Sequence, residues 1–274
     1  MPKDNMKNTI IVALCVAVIC SLFVCVTSVM LKSIQEKNKT KERIKNILIA
    51  GDIYYPDISI QKLYKKKVRP ELINLQTGKP ASKNDKLPDI KNFTIKKAIN
   101  NLHMSTFIKP ENDIAKISRK PKYVVIFKVI KNNKLDKVIL PIVGKGLWST
   151  MYGFIALDED IKTVAGFTIY EHGETPGLGG EVDNPLWKNI WKGKIAYNSS
   201  EELQLKVIKG QVERDSLNSR YCIDGLSGAT ITTRGVDAMI QFWLSDKGYK
   251  KYLEQLWVNK ADSSGHIKKR KGSL

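Results

Sequence analysis

Residues 224–235, DGLSGATITTRG, offer small residues and hydroxyls but nothing that reads as a catalytic acid or base. Behind them Val236, Met239, Ile240, Trp243 and Leu244 repeat at helical spacing, which predicts an amphipathic helix beginning near Thr232 or Thr233. The first N–H groups of such a helix have no partner of their own and carry the positive end of its dipole, a combination that suits phosphate. Ser227, Gly228 and Ala229 are small enough to let a ligand reach the backbone, and Gly228 can take a left-handed conformation. Thr230 places a hydroxyl close to that anion position, and Arg234 can add a charge-assisted contact. A second reading of the same residues is that Ser and Thr simply cap the helix.

Two further stretches have the same loop character. Residues 171–181, EHGETPGLGGE, carry four glycines and a proline, so their backbone can make tight turns and close approaches. Residues 144–153, GKGLWSTMYG, add Trp148 and Tyr152, each able either to stack on a ligand or to pack in a core.

The elements that must position these loops are strands followed by helices. Runs rich in β-branched and aromatic residues at 123–130, 137–143, 152–157, 163–170, 193–197 and 203–208 are separated by turn residues such as Asn132, Asn133, Asp158 and Asp160, and predict an antiparallel sheet. The periodic pattern of 236–244 recurs in Tyr249, Tyr252, Leu253, Leu256 and Trp257 after a break at 245–248. Strands first and helices afterwards give an α+β domain over residues 46–258. Within it, residues 70–121 are polar with scattered Pro and Asn, and read as a loop-rich layer over the core. Residues 259–274 read as a basic disordered tail.

Ahead of the domain lies an uncharged apolar run, residues 9–31, which as a helix spans roughly 34 Å and is long enough for a bilayer. It lacks the small-residue cleavage pattern of a signal peptide, so it reads as an uncleaved transmembrane helix after a short segment, 1–8. Residues 32–45 follow as a Lys-rich linker or helix. Cys15, Cys20 and Cys25 fall inside the apolar run at steps of about 140° around a helix, so they share no face for a metal. Cys222 is left alone in the soluble part, which excludes an intrachain disulfide framework there. The net charge of +19 raises nucleic acid as a partner, but the lysines are spread along the chain and gather beside the apolar run and in the tail, a distribution that suits anionic membrane lipid or simple solubility equally well.

The motifs ETPGLG at 174–179 and DGLSGAT at 224–230, in that order behind one membrane segment and GKGLWSTMYG, resemble those of the C subunits of the sodium-translocating NADH:quinone reductases. The G subunit of Rnf electron-transport complexes shares the same flavin-binding domain and threonine motif, and is the alternative reading of the resemblance. The resemblance extends from NILIAGDIY to the C-terminal helices. It implies FMN joined covalently through its phosphate to Thr230, with Glu174, Thr175, Gly177 and Leu178 beside the flavin. It further implies other subunits of a respiratory membrane complex, a flavin transferase for maturation, and a flavin domain on the periplasmic side of a bacterial inner membrane. Lys32, Lys37, Lys39, Lys41, Arg43 and Lys45 after the run, against Lys3 and Lys7 before it, point the opposite way. Asp224 reads either as a recognition element for the transferase, or a metal used in attachment, or as an Asx-type turn before Gly225. Trp148 reads as a ring-stacking residue or as core, and His172 as a proton donor to the flavin or as a plain surface residue. The chain shows no G-x-G-x-x-G motif and no acidic residue in the apolar run, so NADH oxidation and the ion path would belong to other subunits. The reading from a different class is a membrane-anchored basic binding module without flavin.

Overall fold

In a computed structural model, which describes residues 6–82, 89, 90 and 93–271, the uncharged run and the Lys-rich stretch after it form one helix, α1 (Met6–Ala50). Its apolar portion is exposed along its whole length and is the one described helix long and apolar enough to cross a membrane. The chain divides into two compact units, Met1–Arg43 and Ile44–Leu274. The first holds α1 as far as Arg43, and residues 1–5, Lys3 among them, lie outside the described residues. Cys15, Cys20 and Cys25 are exposed on it as free thiols, and Cys222 of the second unit is free and buried.

The second unit is built on a five-stranded sheet in the order β1 (Val68–Asn74), β4 (Tyr123–Lys131), β5 (Lys134–Lys145), β6 (Thr150–Leu157) and β7 (Val164–Glu171), every pair antiparallel. Both of its faces are covered. In β4, Val124 and Ile126 enter one apolar core while Val125, Phe127 and Val129 enter the other, as the period of two along a strand requires. A strand buried on both faces reads as a continuous apolar run, which is why β4 to β7 stand out in the sequence.

The helices α4 (Pro185–Asn189), α5 (Thr230–Trp243) and α6 (Lys250–Lys271) follow the main sheet in the chain, and Trp187, Trp243, Tyr249 and Trp257 enter the first core. Three of these aromatics also hold the sheet and its β6–β7 turn through polar handles: Trp243 Nε1 donates to the Val143 carbonyl at 2.7 Å, Tyr249 OH to that of Pro141, and Trp257 Nε1 to that of Ile161 in the turn. The break between α5 and α6 belongs to Gly248, where a Cβ would lie 2.2 Å from the Trp243 carbonyl oxygen. Over the other face lie α2 (Ile60–Lys67) and the last residues of α1, with Ile47, Leu48 and Ala50 in the second core. There the Thr168 hydroxyl donates to Asn46 Oδ1 at 3.0 Å, and Gly166 lets the Ala50 carbonyl come close to β7.

The structure departs from the sequence-based expectation in several places. The stretch 70–121 is not all loop, because it contains most of the edge strand β1, helix α3 (Ile95–Asn100) and the small hairpin of β2 (Ser105–Phe107) and β3 (Arg119–Pro121). Residues 193–197 form no strand and make only the isolated bridges Thr163–Ile195 and Tyr197–Leu203. The run 203–208 shrinks to β8 (Lys206–Val207), which pairs in parallel with β9 (Cys222–Ile223) just ahead of the Thr230 loop. The backbone of α6 continues to Lys271, through most of the stretch read as a disordered tail, and residues 272–274 lie outside the described residues.

Candidate functional site

Helix α5 starts at Thr230, two to three residues before the expected position, with Ala229 at the N-cap and no side chain capping it. Gly228 just ahead has φ +71°, the left-handed conformation anticipated for it. Thr233 at the fourth helical position takes another duty: its hydroxyl accepts from Leu226 N–H at 3.0 Å and so braces the loop from inside. Among the described residues, the N–H groups of Thr230, Ile231 and Thr232 find no acceptor, and the hydroxyl of Thr230 makes no hydrogen bond. The capping reading of these hydroxyls therefore fails, and the loop ends in open donors at the positive end of a helix. Ser227 and Gly228 are exposed, Ala229 is buried and Thr230 is half-buried. Arg234 is exposed one helical turn after Thr230, on the same face of α5.

The centre of the arrangement is Glu174, which is 4% exposed. Oε1 accepts from the backbone N–H of Trp148 at 3.0 Å and of Ser149 at 2.9 Å, and from the Ser149 hydroxyl at 2.9 Å. Oε2 accepts from Leu147 N–H at 2.9 Å and from the Thr232 hydroxyl at 2.7 Å. Burial alone would raise the pKa of this acid. The bonds from Thr232, Leu147 and Ser149 outweigh it and bring the group below the ordinary 4.5 to about 2. The three successive N–H groups at 147–149 can all reach one carboxylate because Gly146 leaves room: a Cβ there would lie 2.6 Å from Glu174 Cδ. Gly179 leaves room in the same way for the Thr232 hydroxyl, 2.5 Å from where its Cβ would be.

The three loops thus meet at one place. Trp148, held by its backbone, points its ring outward and is 69% exposed, so the core reading of this residue is overturned. Leu178 is half exposed and its Cδ2 lies 3.1 Å from the position of a Cβ on Gly228, which puts ETPGLG directly against DGLSGAT. The Thr175 carbonyl closes the turn of ETPGLG itself by accepting from Leu178 and Gly180 N–H, and exposed Gly177 takes φ +75° with nothing within 4 Å of where a Cβ would be. His172 accepts from Glu174 N–H through Nδ1 at 3.2 Å, a local bracing role.

Asp224 does not form the Asx turn, since Leu226 N–H is taken by Thr233. Its Oδ1 accepts from Val212 N–H at 2.7 Å, and its carbonyl accepts from Trp187 Nε1 at 2.8 Å. No cluster of metal-ligating side chains occurs among the described residues. The residues that sequence reasoning missed are Gly146, Ser149, Gly179 and Thr232. The available signal was the pair of glycines flanking Lys145, together with hydroxyl residues in the helix that follows Thr230.

An FMN-binding domain family matches residues 146–245, which contain all three loops apart from Gly144 and Lys145. Over 93% of its length the chain is 38% identical to the C subunit of the Na(+)-translocating NADH-quinone reductase of Pseudomonas aeruginosa, and it covers 97% of that protein. It is 36% identical to the corresponding protein of Vibrio alginolyticus, covering 96% of that relative. The crystal structure of Shewanella oneidensis NqrC superposes with a TM-score of 0.71 at 35% identity, over 80% of this chain and 98% of that one. With its apolar N-terminal helix, antiparallel sheet, C-terminal helices and FMN-binding domain, this chain belongs to the family of C subunits of the Na(+)-translocating NADH-quinone reductases, which are oxidoreductase complexes.

Proposed function

We propose that this chain carries FMN esterified through its phosphate to Thr230 and serves as an electron-carrying subunit of a sodium-pumping NADH:quinone reductase. The observation that carries the reading is the start of α5: a half-buried threonine hydroxyl without a partner among the described residues, beside three backbone N–H groups likewise unpaired there. A phosphodiester keeps one negative charge, which those N–H groups and Arg234 can stabilise. Around the attachment point Trp148, Leu178 and Ile231 are exposed apolar groups of the kind a flat aromatic ring covers. When bound, FMN supplies stepwise electron transfer. The residues of this chain then hold the ring, shield it from water and set the charge around it, and no side-chain acid, base or nucleophile is required. NADH oxidation and ion movement fall to partner subunits.

The same reading makes Asp224 and the exposed Ser227 and Gly228 the surface that a flavin transferase meets. The apolar part of α1 then anchors the protein in the inner membrane, with lysines at its end meeting lipid headgroups. The flavin domain is assigned to the periplasmic side against the bias of its flanking lysines, because long domains translocate largely regardless of charge.

Mass spectrometry of the tryptic peptide 221–234, from chain coexpressed with a flavin transferase, tests the assignment. A peptide heavier by FMN less water, with fragments placing the addition on Thr230, is the expected result. An unmodified peptide, with the transferase active on a control, would leave a basic membrane-anchored binding module as the better description.

A further inference from the structure

We infer that Glu174 is the positioning residue of this site: one buried carboxylate fixes the Trp148 turn, the ETPGLG loop and the first turn of α5 in a single arrangement, and supplies a standing negative charge beside the flavin. The inference rests on the proposed attachment at Thr230. Three successive backbone N–H groups, as at 147–149, ordinarily make a concavity that binds anions. Here that concavity is filled from within by Glu174, at 2.9–3.0 Å from each donor. The competing anion position is thereby removed, and the open donors at the start of α5 are left as the place for phosphate. The fifth bond, from the Thr232 hydroxyl at 2.7 Å, is the only one that reaches α5, and it acts two residues from Thr230. Ser149 extends the link, since its hydroxyl accepts from Gly173 N–H at 2.7 Å while donating to the carboxylate.

Because the carboxylate stays ionised, it opposes the arrival of negative charge on a nearby electron acceptor and lowers that acceptor's potential. A merely structural brace would set shape without a defined sign of potential. Glu174→Gln keeps the size, removes the charge and turns an amide N–H₂ toward groups that are themselves donors. Thr232→Val removes the bond to α5 alone, and Thr232→Ser keeps it.

The test uses the full chain as wild type and these three variants, coexpressed with a flavin transferase. Three quantities are read: FMN per chain by mass, amide hydrogen exchange in the unloaded chain, and the midpoint potential of the loaded chain. Thr232→Val is expected to load roughly tenfold more slowly, as misplaced reacting groups do, with Thr232→Ser restoring the wild-type rate. In Glu174→Gln, exchange at 146–149 and at the two bonded amides of the second segment, Ala229 and Thr233, should rise together by about tenfold or more, and the potential of whatever fraction loads should shift upward. Wild-type loading and potential in both Glu174→Gln and Thr232→Val, or loosening confined to one of the two segments, would overturn the inference. A wild-type chain that stays unmodified while a control substrate is modified overturns the flavin reading instead. The paired exchange measurement still judges the role of Glu174 in that case.

Discussion

Thr230 has a hydroxyl that bonds to nothing among the described residues, so deleting it removes no internal interaction. Thr230→Ala should therefore fold with a stability within about 0.5 kcal/mol of wild type and carry no covalent flavin. Urea denaturation and in-gel flavin fluorescence check the two halves of that statement. Glu174 behaves in the opposite way, since its pKa falls from 4.5 to about 2 on folding. A depressed carboxylate stabilises the fold above its unfolded pKa, and the contribution, about 3 kcal/mol, is lost as pH falls through the folded value. Denaturation midpoints should hold from pH 7 to about 5 and then drop between about pH 4.5 and 2, and Glu174→Gln should flatten that part of the profile. In the sequence the loop around Thr230 was legible because small residues and a glycine precede a periodic helix. The duty of Glu174 was not, because its partners are backbone N–H groups and a hydroxyl 25 to 27 residues away and a second hydroxyl 58 residues away.

At the level of elements, α5 lies so near the end of β5 that glycine is needed on both sides of the contact. A Cβ on Gly235 would lie 2.3 Å from the Lys145 carbonyl oxygen, and one on Gly144 would lie 2.7 Å from Met239 Cβ. Gly235→Ala should destabilise the protein by about 1–3 kcal/mol, or more, by pushing α5 away from the loop that holds Trp148. Gly177→Ala meets no neighbour and should cost only about 1 kcal/mol, for the positive φ. Comparing their urea midpoints separates close approach from backbone strain. Four strands of the main sheet and the second helical repeat were readable because burial on both faces or along one stripe leaves an apolar pattern. Strand β1 escaped because Arg69, Pro70 and Glu71 interrupt its apolar residues. Pro70 is tolerated there because β1 is an edge strand, where one side of the backbone has no ladder partner. The run at 193–197 was misread because Ala196 and Tyr197 are apolar and buried, as strand residues are, yet they pack without a continuous ladder.

For the whole molecule, the apolar run announced itself through length alone. Of the two readings of residues 32–45, linker or helix, the structure has the helix, and that it runs on to Ala50 in the second core could not be read from a Lys-rich stretch. Membrane sidedness can be measured cleanly because Cys222 is buried and the other cysteines lie in the apolar run. Leu217, 90% exposed, is a suitable place for a single reporter. Leu217→Cys in spheroplasts should react with a membrane-impermeant maleimide, whereas labelling only after lysis would place the domain in the cytoplasm. The bond between Thr232 and Glu174 also bears on the timing of biosynthesis. Its two ends are 58 residues apart, so the setting of Thr230 comes into being only after the sheet and the C-terminal helices have met. If attachment depends on that setting, a nascent or misfolded chain is a poor acceptor, and the proportion of chains bearing flavin becomes a tally of those that folded correctly.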